Sequence, residues 1–182
     1  IAVSKTFKID RILPLIEYGH EDFGENKVQE AVDKWSDIKL QKPNIKLHLL
    51  GGLQTNKVKF AIQIFDFIHS VDSKKLAKKI ADEQIKYNKN IKIFIQVNLG
   101  NENQKSGVKK NELDSLFLYC EEVGLNVIGL MCIPPVNLDP TPFFKELKNL
   151  NDSLNLSDLS MGMSSDYKEA IENFSTYLRI GS

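Results

Sequence analysis

Arginine is nearly missing from this chain of 182 residues: the basic side chains are lysines except at Arg11 and Arg179. Each of the two is therefore a candidate for work that a lysine cannot do, since only arginine offers a planar fork of donors. Net charge is missing as well. The 24 basic and 24 acidic residues cancel, which removes the electrostatic footprint of a general nucleic-acid binder. No apolar run approaches the ~18 residues that would span a bilayer. The first residues are strand-like, with neither a basic start nor a cleavage site, so no signal peptide is expected. The two cysteines, Cys120 and Cys132, have neither metal-ligand nor redox spacing. Two buried thiols in a reducing cytoplasm is the expected setting. A Gly-rich dinucleotide fingerprint and a P-loop are both missing. So are repeats, low-complexity stretches and linkers, and one domain spanning 1–182 is expected.

What is present is alternation. Short apolar strands are expected at 1–5, 20–24, 46–50, 66–71, 91–99, 125–131, 157–160 and 176–180. Amphipathic helices are expected at 8–18, 26–40, 55–64, 73–87, 109–123, 141–154 and 165–173. Ser73 can cap one helix, with Leu76, Ala77, Ile80 and Ala81 as its buried stripe. Thr141 can cap another, with Pro142 in its first turn and Phe143, Leu147, Leu150 and Leu154 on one face. Strand 91–99 alternates from Ile91 to Leu99 on one side against Lys92, Phe94, Gln96 and Asn98 on the other. Strand–helix alternation implies right-handed parallel crossovers. Eight such units predict an α/β fold, a (β/α)8 TIM-type barrel, with an open doubly wound sheet as the second option.

In such a barrel chemistry sits at the C-terminal ends of the strands. The residues expected there are Lys5, Glu25 and Asn26, 51–56, His69 to Asp72, Asn98 with 105–107, Met131, 162–165, and Gly181 with Ser182. Phosphate sites of this fold commonly use the loops after the last two strands, and those loops carry Ser164, Gly181 and Ser182. Ser164 could equally cap the helix after it. A desolvated amine at Lys5 would attack carbonyls. A phosphate cup facing an amine suits a phosphorylated sugar, as in a Schiff-base aldolase, or pyridoxal 5'-phosphate. Arg179 should face the barrel interior and could donate to a pyridine nitrogen, making the ring a weak electron sink.

Eight segments then match one family in order: "AVSKT", "FGENKVQE", "HLLGGLQTNKVK", "IHSVDS", "IQVNLGNENQKSG", "GLMCIP", "LSMGMSSD" and "STYLRIGS". On these the chain resembles the YggS/PROSC pyridoxal phosphate homeostasis proteins, which share the barrel of the alanine racemase N-terminal domain. The resemblance implies that Lys5 holds the cofactor as an aldimine and that Ser164, Gly181 and Ser182 hold its phosphate. It places Arg179 at the pyridine nitrogen, with Asn26 and the backbone of Met161, Gly162 and Met163 lining the pocket. It implies no catalytic residue and no metal site. Departures exist. "LHLLGG" replaces a Trp-His-Phe-Ile-Gly pattern. Phe174 stands where the family has glycine, which should tilt the start of the last strand. The family's helix before the first strand and segment after the last are not in this sequence, which opens on Ile1, so a partial chain of a longer protein is expected.

The resemblance implies a cofactor-handling protein of the cytoplasm. It would bind pyridoxal phosphate reversibly as a monomer and deliver it to apoenzymes, without substantial turnover and without a nucleic-acid or membrane partner. A racemase-like enzyme, with Lys5 and His69 as its bases, and the aldolase are the alternatives.

Overall fold

The computed structural model describes residues 1–100 and 106–181. The expectations placed on Lys105 and Ser182 lie outside the described residues. Among the described residues, nine strands and seven α-helices follow in chain order. The strands are β1 (Ala2–Val3), β2 (Asp22–Glu25), β3 (Lys46–Leu49), β4 (Phe67–Val71) and β5 (Lys92–Asn98). They continue with β6 (Val108–Lys109), β7 (Asn126–Met131), β8 (Asp158–Met163) and β9 (Tyr177–Arg179). The helices are α1 (Ile9–Glu17), α2 (Val28–Gln41), α3 (Val58–Ile64), α4 (Lys74–Lys86), α5 (Leu113–Glu122), α6 (Thr141–Ser153) and α7 (Tyr167–Glu172).

All pairings between strands are parallel, in the order β1-β2-β3-β4-β5-β7-β8-β9. The ring closes through one bridge, Ala2 to Ile180, with the Val3 N–H donating to the Ile180 carbonyl at 2.7 Å. The result is the (β/α)8 barrel. The two-residue β6 pairs only with β5 and was not expected, because two residues carry no legible alternation.

Alternation sorts the side chains. Outward positions such as Phe23, Leu47, Ile68, Ile93, Ile95, Leu130 and Leu159 join the helices in the main core. Inward positions hold a smaller cluster of Phe67, Phe94 and Met131, with Ile128 and Tyr177 against it. On α4 the Ser73 hydroxyl accepts from the Leu76 N–H at 3.3 Å, as expected of the cap, and Leu76, Ala77, Ile80 and Ala81 are buried. On α6 the expectation needs correction. The helix buries Phe144, Leu147 and Asn151 rather than a stripe starting at Phe143, and Pro140, not Thr141, occupies the cap. Asn151 earns its place by accepting from the Leu130 N–H at 3.0 Å and donating to the Leu156 carbonyl at 2.8 Å.

Phe174 adopts φ +69°, in the left-handed region that glycine suits. It remains 68% exposed, its ring 5.4 Å from the Lys148 ammonium. The last strand is not displaced by it: the Thr176 N–H still donates to the Leu159 carbonyl at 3.0 Å.

Candidate functional site

The C-terminal rim is organised where β1 meets β9. Gly181 has φ +139°, and a Cβ there would sit 2.5 Å from the Val3 carbonyl oxygen. Only glycine lets the two strand ends touch. The Gly181 N–H in turn donates to Ser164 Oγ at 3.3 Å, so the two expected phosphate residues are in contact. Ser164 is not the cap of α7. That helix begins at Tyr167, later than expected, and Asp166 takes the turn before it, accepting from the Met163 N–H at 2.6 Å.

Lys5 lies two residues beyond Val3, in a turn with Thr6 at φ +66°. Strand β1 ends earlier than expected, and Lys5 is exposed rather than desolvated. The preceding residue is firmly held. The Ser4 N–H donates to the Gly24 carbonyl at 2.9 Å, and its hydroxyl donates to Glu25 Oε1 at 2.7 Å. Ser4 is thus directed outward toward α2, and Lys5 follows it in the turn at the C-terminal end of β1.

Glu25, expected at the rim, is instead fully buried within β2 and turned outward. Its Oε1 also accepts from Lys34 Nζ at 2.8 Å and Trp35 Nε1 at 2.9 Å, both on α2. Lys34 Nζ donates to the Ser4 carbonyl as well, at 2.8 Å. This cluster was missed. Its one legible trace is a carboxylate at an outward position of the apolar run "DFGE".

Asn26 follows β2, its carbonyl 2.2 Å from where a Gly51 Cβ would sit, so β3 leaves its strand directly over Asn26. Of the 161–163 backbone, Met163 pairs in register with Arg179. Its N–H is engaged by Asp166 and so is not available to a ligand. Gly162, at φ +92°, turns its α-carbon toward Ala170 of α7, and Met161 is buried in the main core. These two residues support the rim from behind.

Arg179 does face the interior. It is 5% exposed and donates from Nη1 to Ser160 Oγ at 2.7 Å and from Nη2 to the Cys132 carbonyl at 3.0 Å. Burial lowers its pKa from the usual value. Among the described residues no carboxylate pairs with it. A buried guanidinium left without an anion is suited to a ligand acceptor. Cys132 offers no competing nucleophile, because burial pushes its thiol up to about 12.

His69 was expected in the loop after its strand. It is instead inside β4, fully buried, stacked on Phe94 at 4.4 Å and bonded through both ring nitrogens. His48 is likewise fully buried and stacked on Phe67 at 4.1 Å. Burial lowers the pKa of His48 and pushes that of His69 well below its ordinary value. Both rings must gain protons on unfolding once the pH falls below the unfolded histidine value of ~6.5. Stability is then full above about pH 6.5 and declines as the pH falls toward the depressed folded values, by up to ~1.4 kcal/mol per pH unit for each ring. The urea midpoint should therefore drop steeply from pH 7 to pH 5, and less steeply in His69→Phe. A flat profile over that interval would contradict neutral burial of the two rings.

With the rim described, comparison with known proteins becomes decisive. The family described as "Alanine racemase, N-terminal domain" matches residues 1–182. The pyridoxal phosphate homeostasis protein of Aquifex aeolicus is 38% identical over 192 residues, covering all of this chain and 83% of that protein.

The chain belongs to the pyridoxal phosphate homeostasis protein family.

The Escherichia coli K12 member of this family is 33% identical, covering all of this chain and 82% of its own length. Among solved structures, PipY of Synechococcus elongatus PCC7942 with PLP bound superposes at a TM-score of 0.91 with 33% identity. It is matched over all of this chain and 89% of its own. An alanine racemase from Clostridium difficile 630, at 12% identity and a TM-score of 0.77, shares the fold. The expected family and its barrel are thus borne out. Within the described residues, no helix is long and apolar enough to cross a membrane.

Proposed function

We propose that the protein binds pyridoxal 5'-phosphate reversibly and serves its intracellular homeostasis and delivery. The observation that carries this reading is the meeting of β1 and β9. There Gly181 meets Val3, two residues before Lys5, and its N–H donates to Ser164, while the buried Arg179 lies two residues back along the same strand. The residues present fit the ligand: an amine for the aldehyde, a glycine–serine cradle for the phosphate, and an anion-free guanidinium for the ring nitrogen.

When bound, the cofactor supplies an aldehyde for amine capture and a ring that withdraws electrons. Lys5 Nζ would hold the cofactor through that aldehyde. Ser164 and the Gly181 backbone orient the phosphate, and Ser182 is proposed to complete that cradle. Arg179 would donate to the ring nitrogen, which would favour its unprotonated form. Asn26 and Met163 border the site.

The histidines support a carrier rather than an enzyme. His48 and His69 are fully buried inside the barrel, and His20 donates from Nε2 to the Asp22 carbonyl at 2.8 Å near the opposite mouth. A two-base racemisation needs a second proton carrier beside Lys5, and the imidazoles do not supply it. A monomer that passes its cargo to apoenzymes is the simplest form of this reading.

The test is a visible spectrum of the purified protein, followed by borohydride reduction and peptide mapping. The expected result is a yellow protein whose reduced label maps to Lys5, with the chromophore lost in Lys5→Ala. A label on another lysine, or trapping that requires a sugar phosphate, would overturn it.

A further inference from the structure

Five side chains form an unbroken hydrogen-bonded row through the barrel interior that ligand capture does not explain. It begins at Asp22, half-open to solvent where the N-terminal strand ends gather, and ends at buried Arg179. Asp22 Oδ1 lies 2.9 Å from His48 Nε2, and His48 Nδ1 lies 3.0 Å from His69 Nε2. His69 Nδ1 lies 2.8 Å from Ser160 Oγ, which lies 2.7 Å from Arg179 Nη1.

The two ends dictate the direction of every bond between them. An ionised carboxylate only accepts and a guanidinium only donates. Asp22 therefore takes the His48 Nε2 proton, leaving His48 Nδ1 as an acceptor. His69 must donate to it from Nε2, which leaves His69 Nδ1 bare. The Ser160 hydroxyl must then donate to His69, keeping an oxygen lone pair for Arg179. No donor faces a donor along the row.

We propose that this row is a proton-ordered relay in which Asp22, at the mouth opposite Lys5, is a positioning residue for Arg179. It acts by holding the Ser160 hydroxyl turned toward His69. A proton added at His48 Nδ1 would meet the His69 Nε2 proton head-on. Relief would require His69 to carry its proton on Nδ1 instead. His69 and Arg179 would then both donate to the Ser160 oxygen, and the Ser160 proton would lose its acceptor. The surroundings oppose that reversal. A charge on His48 and the Arg179 guanidinium each act against a charge on His69. Asp22 and the more distant Asp66 are the carboxylates that favour charge on His48. The Tyr177 ring stands 5.7 Å from His48 and 6.2 Å from His69. It caps the aromatic floor formed with Phe67 and Phe94.

The relay deepens the ligand reading only in its effect on a bound pyridine ring. Its own test uses the full chain without added ligand, so the two can fail separately. Imidazole nitrogen NMR reports the tautomer of each histidine, and the chain has three. His48 and His69 should both be neutral at pH 7 and carry their proton on Nε2. An Nδ1-protonated or cationic His69 would overturn the relay without any mutagenesis. In Asp22→Leu, His48 should lose its fixed tautomer, and exchange of the Arg179 guanidinium protons should quicken about tenfold or more. Ser160→Ala should quicken them similarly, Ser160→Thr should restore them, and His20→Gln should leave them unchanged. Guanidinium exchange that stays at the parent rate in a folded Asp22→Leu or Ser160→Ala chain would refute the coupling.

Discussion

Lys34→Met is expected to lower the unfolding free energy by about 3–5 kcal/mol, because it strands a charge rather than merely deleting one. Glu25 is fully buried, and its Oε1 gathers the Lys34 ammonium, the Trp35 indole and the Ser4 hydroxyl. Its other oxygen, Oε2, has no hydrogen-bond partner among the described residues. With the ammonium gone, two neutral donors remain to hold a carboxylate that water cannot reach. Adding Glu25→Gln to Lys34→Met should recover much of the loss, since a neutral amide needs no counter-charge. Urea denaturation of the two single variants and the pair gives the coupling directly. If Lys34→Met alone lost less than about 1 kcal/mol, the value typical of an exposed pair, the cluster would not be functioning as a buried ion pair. Because Lys34 also grips the Ser4 carbonyl, the same variant should loosen the residue that leads into Lys5.

Gly181→Ala should affect both the fold and the site. The position combines a left-handed φ of +139° with a Cβ point 2.5 Å from the Val3 oxygen. Strain and contact each contribute about 1–3 kcal/mol in comparable settings. The backbone must withdraw from β1, and the N–H that reaches Ser164 moves with it. Titration calorimetry should show pyridoxal 5'-phosphate binding weakened tenfold or more, equivalent to at least ~1.4 kcal/mol. Pyridoxal without its phosphate should be little affected. Equal weakening of both ligands would mean that Gly181 shapes the pocket generally and does not cradle the phosphate.

Much of this arrangement was legible beforehand because the strands are short, apolar and evenly separated. Arg179 could be placed inside because it sits two residues from Gly181 on a period-2 strand. Lys5 could be placed beyond the C-terminal end of β1 because the apolar run that precedes it is so short. What escaped were contacts between residues distant in sequence. The meeting of His48 and His69 was hidden, since nothing local says that two inward positions on β3 and β4 face each other. Ser160, on β8, joins them across 91 positions of chain. The outward course of Glu25 was hidden because its partner Trp35 lies on the following helix. The expected start of α7 was displaced because Asp166, not Ser164, captures the Met163 N–H. On α6, Phe143 and Phe144 are adjacent, and periodicity alone chose the wrong one.

The ring of strands is unequal around its circumference. Most neighbours share several register pairs, whereas β1 and β9 meet through a lone bridge at Ala2 and Ile180 and the bonds beside it. A joint so thinly laddered is where fraying should begin. Lys5 stands on one side of it, Gly181 and Arg179 on the other. A molecule spanning them would act as a latch, binding the closed ring in preference to the frayed one and stabilising it by mass action. Cargo and scaffold would then secure each other, and release would be helped by any partner able to prise that joint apart.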